Sequence, residues 1–325
     1  MEIHLPNSAF LGNINAFLKG IDISNPDFLK ITSNEKWISV HPVVLCIVAS
    51  LGMEVRLRSQ DEHPIRCERF TATSKHYFER MGLFNFLELD SEMKIKTHES
   101  AGRFIPLTQI KDSTGLTQFI EDMIPLLHLD PKNVQPIKYI VSELVRNVLE
   151  HSQAESGAIV CAQYYPDSNT IRIGIVDAGV GIAKTIRKSH NAPTDLDAIK
   201  LALTPGITGT TSKEGGTDYN AGAGLFFIKS IAKINRDFFI IYSGNTLYKL
   251  LREKKTNKVS LYSDPLDDKH TKDMTMPSWF GTVVGVDINL TETEEFTTLL
   301  DQIRDTYTKS VRERKKIKYK KPRFI

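Results

Sequence analysis

Residues 137–182 constrain the chain more than any other stretch, because they encode a helix, a strand pair and a glycine turn in immediate succession. Pro136 suits a first helical position, where a missing N–H costs nothing. Ile137, Ile140, Val141, Leu144, Val145 and Val148 then recur at helical spacing. The pattern predicts an amphipathic helix against a core. Glu143 and Asn147 are four residues apart, so they stack one turn above each other on a border of the apolar stripe, with His151 a turn further on. Two strand-like segments follow, 158–165 and 170–176, joined as a hairpin through Pro166-Asp167-Ser168-Asn169. The second places Ile171, Ile173 and Ile175 on one face and runs into Asp177-Ala178-Gly179-Val180-Gly181-Ile182. Two glycines after an acid permit a turn and a close backbone approach that bulkier residues would obstruct.

Residues 206–220 form a polar run rich in Gly, Thr and Ser that ends in Asn220-Ala221-Gly222-Ala223-Gly224-Leu225. A helix begins there with Leu225, Ile228, Ile231 and Ala232 turned inward. Glycines opening a helix present free N–H groups and the positive end of its dipole, an arrangement suited to phosphate. Further on, Gly281-Thr282 leads a strand with Val284, Val286, Ile288 and Leu290 on one face.

Taken in order, E-L-V-R-N, D-A-G-V-G-I, G-A-G-L and G-T resemble the conserved boxes of the ATPase superfamily of gyrase, heat-shock chaperones, histidine kinases and mismatch-repair proteins. The resemblance spans about residues 107–290, and S-E-L-V-R-N-V-L-E-H-S is most similar to the bacterial anti-sigma-factor serine kinases. It implies a two-layer α/β sandwich that binds ATP and Mg²⁺. It assigns Asn147 to the metal, as a hard neutral ligand. Glu143 becomes the general base toward water or a protein hydroxyl. Asp177 accepts from the adenine amino group, with Thr282 joining it through water. Gly179, Gly181, Ile182, Gly222, Gly224 and Leu225 form the nucleotide cradle, and residues 206–224 a lid. Lys213 is either a γ-phosphate contact or a solvated loop lysine, and His151 is a packed histidine beside the site.

The flanks are less specific. Segments 1–5, 10–18, 27–31, 42–51 and 54–58 alternate between strand and helix signals, with 54–58 reading as a strand, and a helix is expected over 74–86. This N-terminal α/β module resembles the domain shared by sulfate transporters and anti-sigma-factor antagonists. In that family the acceptor serine follows an aspartate at a helix start; the corresponding stretch is Ser39-Val40-His41-Pro42, where Ser39 is a strand-end serine or an acceptor. A polar stretch over 87–106 marks a boundary, and His98 within it lacks the proline and helical hairpin of a phospho-accepting histidine. Asp112 caps a helix bearing Leu116, Phe119, Ile120, Met123 and Ile124. Residues 237–242 and 246–251 read as a hairpin, 253–276 as a charged loop with one strand at 259–262, and Thr291 as the start of a final helix.

The chain has 325 residues and a net charge of +3, with three cysteines that lack metal-site or redox spacing. Nine Lys or Arg against one Glu after residue 308 leave the rest of the chain at −5. Lys318-Tyr319-Lys320-Lys321 within that end is a solubilising tail or a contact for nucleic acid or an acidic partner. No apolar run is long enough to span a bilayer and no leader pattern opens the chain, so a cytoplasmic protein with no membrane association is expected.

These readings converge on an α/β regulator in three parts: an antagonist-like domain over 1–104, an ATP-binding sandwich with a mixed sheet over 105–292, and a helix with basic tail over 293–325. The expected activity is phosphotransfer to a protein hydroxyl, as a serine/threonine kinase, or ATP hydrolysis. The alternative is an ATP-gated interaction switch without turnover. A protein partner or phosphoryl acceptor is expected, and a homodimer is one assembly open to the chain.

Overall fold

The computed structural model describes residues 1–318 apart from 25–26, 36, 68–71, 91–102, 128, 214, 216–221, 255–258 and 291–295. The expectations for His98, Asn220, Ala221, the Thr291 cap and Tyr319 to Lys321 fall outside these residues. The fold is of the α/β class.

The N-terminal segment contains β1 (Glu2–Leu5), β2 (Ser8–Ala9), α1 (Ile14–Lys19), β3 (Leu29–Ser33), β4 (Ser39–Val40), α2 (Pro42–Arg58), β5 (Ile65–Cys67), α3 (Ala72–Arg80) and α4 (Leu83–Phe86). Its strands pair in parallel, β1–β3–β5 and β2–β4, which places Ser39 opposite Ser8 within a strand. The strand expected over 54–58 is instead the last turn of α2. A continuous apolar run gives no periodicity to separate helix from strand, and α2 is buried from Pro42 through Gly52. The helix expected over 74–86 is two helices, broken where Gly82 takes φ +77°.

The second part contains β6 (Phe104–Ile110), α5 (Ser113–Gln118), α6 (Pro131–Asn147), β7 (Ala158–Tyr165), β8 (Thr170–Asp177), α7 (Gly181–Ile186), α8 (Asp195–Ala202), α9 (Gly224–Ile234), β9 (Phe239–Gly244), β10 (Thr246–Leu250), β11 (His270–Asp273), β12 (Trp279–Asn289) and α10 (Phe296–Lys318). Seven of the strands form one sheet in the order β11–β10–β9–β12–β8–β7–β6. Every pairing in it is antiparallel, not mixed as expected, and the tight β7–β8 and β9–β10 hairpins impose that direction. The strand in the charged loop is β11, paired with β10, rather than 259–262. Helix α6 starts five residues before Pro136, which lies inside it. Asp112 caps α5 as expected, its carboxylate accepting from the Gly115 N–H at 2.7 Å.

Strand alternation gives the sheet two apolar faces. Ile171, Ile173, Ile175, Val284 and Val286 face α6, α9 and α10. Ile159, Cys161, Val176, Ile240, Tyr242 and Val283 face the N-terminal segment and share one core with it. Helix α2 crosses this second face directly over Gly174. A Cβ at Gly174 would stand 2.3 Å from the Val43 Cα, so only glycine allows the approach. The N-terminal segment is therefore the third layer of a common structure. At the junction, the buried His41 caps α2 by accepting from the Val43 N–H through Nδ1, which leaves its proton on Nε2, 3.1 Å from Asp287. Burial lowers the imidazole pKa and keeps it neutral.

Candidate functional site

The strongest concavity lies where the ends of β8 and β12 meet α6, and it encloses about 320 Å³. Its floor carries Asp177, the last residue of β8, only 2% exposed and directly opposite Thr282 in β12. The Gly179 N–H donates to its carboxylate at 2.8 Å, and the Thr282 hydroxyl and N–H donate as well. Thr282 thus bonds Asp177 directly. A register shift in β12 between Trp279 and Thr282 also lets the buried indole N–H reach the Asp177 carbonyl at 3.2 Å. Burial outweighs these donors and pushes the carboxyl up to about 6.

Helix α6 forms one wall. Glu143 and Asn147 both face the cavity, as their four-residue spacing requires, together with Tyr139 and Arg146. Burial raises the Glu143 carboxyl above its ordinary range, Arg146 opposes the shift, and Glu150 adds to it. Its Oε1 pairs with Arg146 at 3.2 Å. The helix then widens into a π turn over Val148–Ser152 that brings Glu150 and His151 to the cavity edge. The Ser152 carbonyl accepts from the Val180 N–H at 2.7 Å and lies where a Cβ on Gly179 would stand, 2.1 Å away. Gly179 is accordingly the expected site residue that does not line the cavity. Its role is to let the π turn lie against the Asp177 loop.

The other walls come from α7, the start of α9 and the segment between them. Gly181 and Ile182 open α7 toward the cavity, and Ser243 fixes them by accepting from the Ile182 N–H at 3.0 Å while donating to the Gly281 carbonyl at 2.7 Å. Gly222, Gly224 and Leu225 line the cavity where α9 begins, with no side-chain cap on the helix. A Cβ at Gly224 would come within 2.8 Å of Glu143 Oε2 and 3.5 Å of the Asn147 amide nitrogen. The Glu143 carboxylate therefore sits beside the positive end of α9. Ile207, Thr208 and Gly209 complete the lining, and His190 Nε2 donates to the carbonyls of Thr208 and Thr211 at 2.9 and 3.1 Å. Lys213 is exposed and not among the lining residues.

Sequence reasoning missed Ser243, His190, Arg146 and the π turn. Each acts through backbone groups or through a contact far along the chain, and none leaves a local pattern. The donors around the cavity are one amide, two carboxylates and free helix N–H groups. Among the described residues no three His, Cys, Asp or Glu side chains converge to hold a metal ion. Such a wall suits Mg²⁺, which takes few protein ligands and keeps waters and phosphate oxygens. No family model, no curated protein and no solved structure matches the chain.

Proposed function

We propose that this cavity binds ATP with Mg²⁺ and supports phosphoryl transfer, in the manner of the ATPase superfamily that the motifs resemble. The observation that carries the reading is the opposition, in one cavity, of a buried carboxylate at a strand end to a stacked carboxylate and amide beside an uncapped glycine-led helix. Asp177 accepts from the adenine amino group, and as a carboxylate it repels the guanine carbonyl. Asn147 offers its amide oxygen to Mg²⁺, and the bound metal offsets phosphate charge. The first N–H groups of α9 hold phosphate oxygens. Glu143, its basicity raised by burial, accepts the proton of an attacking water or protein hydroxyl. The chain is then a cytoplasmic signalling regulator acting as an ATPase or a serine/threonine kinase on a protein partner.

The ion pair between Glu143 and Arg146 favours a second reading, in which ATP acts as a switch without turnover and Glu143 stays engaged. Titration of the full chain with a fluorescent ATP analogue and a GTP counterpart, followed by turnover of labelled ATP with Mg²⁺, separates the readings. The phosphotransfer reading expects ATP binding, discrimination against GTP, and Glu143→Gln that binds but releases no phosphate. Turnover unchanged in Glu143→Gln, or wild-type binding without turnover, removes Glu143 as base. Absence of ATP binding at millimolar nucleotide removes the site assignment.

A further inference from the structure

Helix α10 carries two charged faces with different surroundings. Its first half is anchored, with Leu299 and Ile303 buried and Tyr307 against Phe227 at 6.2 Å between ring centres. Beyond residue 308, Lys309, Arg312 and Lys316 stand at i, i+3 and i+7, within one sixth of a turn of each other at 100° per residue, and all are exposed. Among the described residues these three make no ion pair. Glu313 flanks the stripe, Asp305 closes its upstream end, and the face stays net positive.

The opposite face of the same turns rests on the base of the segment that lines the cavity. Arg314 donates to the Pro205 carbonyl, and Lys318 donates to the Ser212 carbonyl at 2.8 Å. Val311 lies where a Cβ on Gly206 would stand, 2.6 Å away, and the Lys315 ammonium is 3.1 Å from the equivalent point on Gly215. Gly206 and Gly215, at φ +78° and +88°, are the left-handed turns from which this segment leaves and to which it returns. The Gly206 N–H bonds the Gly222 carbonyl at 2.8 Å, and the Gly215 N–H bonds the Gly206 carbonyl at 3.0 Å. The cations of α10 thus hold the hinge of the lid through neutral carbonyls.

We propose that the outward face of α10 is a docking surface for the phosphate backbone of a nucleic acid, and that docking there releases the lid. A phosphate oxygen gives Arg and Lys a charge-assisted hydrogen bond, roughly twice as strong as one to a neutral carbonyl. A polyphosphate captured by Lys309, Arg312 and Lys316 therefore draws Arg314 and Lys318 away from Pro205 and Ser212. A membrane surface fits poorly, because an interfacial helix needs a broad apolar face and Ile317 is the only large exposed hydrophobic on α10 among the described residues. The surface and its grip on residues 205–215 stand independently of what the cavity binds. That release speeds nucleotide exchange rests on the ATP reading above.

The test uses the full chain without nucleotide, with labelled duplex DNA, duplex RNA and polyglutamate as probes. Three phosphate contacts predict a slope of log affinity against log salt of about −2.7 or steeper for a duplex, roughly a 40-fold weakening when salt rises fourfold. Lys309→Glu with Arg312→Glu and Lys316→Glu abolishes that binding. Replacing Arg314 and Lys318 by Ala reduces the slope by about 1.8, since both join the phosphates on docking. Hydrogen exchange of amides 206–213 in the wild-type chain rises at least 10-fold on adding saturating duplex. A slope shallower than −2, or polyglutamate bound as tightly as either duplex, overturns the nucleic-acid assignment, and the two duplex arms tell DNA from RNA. Duplex binding with unchanged exchange at 206–213 overturns the coupling to the lid. None of these readouts requires ATP to bind, so failure here and failure of the ATP site are separate results.

Discussion

Replacing Asp177 by Asn should stabilise the protein while damaging its site. The carboxyl is nearly inaccessible and burial moves it from 3.8 to about 6, a difference of 2.2 units. At about 1.36 kcal/mol per unit, ionising Asp177 costs the folded state up to about 3 kcal/mol relative to the unfolded chain. The sign follows from proton counts. Between pH 4 and 6 the folded protein holds a proton that the unfolded chain has released, so this contribution falls as pH rises through the window and is flat above it. Asn keeps the shape, still accepts from the Gly179 N–H, and carries no charge. Urea unfolding at half-unit steps from pH 4.5 to 8 should show Asp177→Asn gaining on wild type as pH rises, by up to about 3 kcal/mol at pH 7.5, and approaching it near pH 4. The same variant should lose discrimination between ATP and GTP, because the charge that repels the guanine carbonyl is gone. Superimposable pH profiles, or an Asn variant less stable than wild type at pH 7.5, would refute the claim that desolvation dominates at this residue.

Two further outcomes follow from packing. Asp268→Asn removes the carboxylate that Lys229 and Lys233 share in the core beneath α9, where all three side chains are at most 3% exposed. Leaving two buried ammonium groups without a counter-charge should cost roughly 3–5 kcal/mol, and unfolding indistinguishable from wild type would contradict it. Gly174→Ala puts a methyl 2.3 Å from the Val43 Cα and should destabilise by about 1–3 kcal/mol or more as α2 is displaced, measured by the shift in urea midpoint.

The parts of the fold legible in the sequence are those in which a periodic pattern and its partner lie close together in the chain. The α6 stripe, the β7–β8 and β9–β10 hairpins and the Asp112 cap were each expected with nearly their observed bounds, since helical and strand periods are local properties. The stacking of Glu143 on Asn147 follows from 3.6 residues per turn, and their convergence with Asp177, Gly181, Gly224 and Thr282 on one cavity is what the ordered motifs implied. Long-range contacts were not legible. Residues 42–58 read ambiguously because a helix buried on every side shows no stripe, and its identity depends on the sheet face that receives it. Strand β11 is short and polar, with intermediate or exposed side chains, and it exists because β10 offers an edge to pair with. Arg314 on Pro205 spans 109 residues and ends on a carbonyl, a group every residue carries and no pattern marks.

Strand β8 explains why the two halves of the chain share one architecture. Its inward isoleucines pack against the helices of the cavity side, and Ile175 is itself a lining residue. Its outward positions carry Arg172, whose guanidinium stacks against Tyr165 and Phe10 at 4.0 and 4.4 Å, and Gly174, on which α2 rests. The strand then ends in Asp177. A residue on the α2 side is thus at most three positions from the carboxylate at the cavity floor, along a backbone paired on both edges with β7 and β12. A displacement of α2 cannot be absorbed within the N-terminal segment, because the glycine that admits it belongs to the strand that fixes Asp177. The same economy explains Gly285, which pairs with Gly174 across β12 and leaves room for Leu11 on the same face. Two glycines opposite each other weaken a sheet interior by entropy alone, so their presence is accounted for by the layer that closes over them.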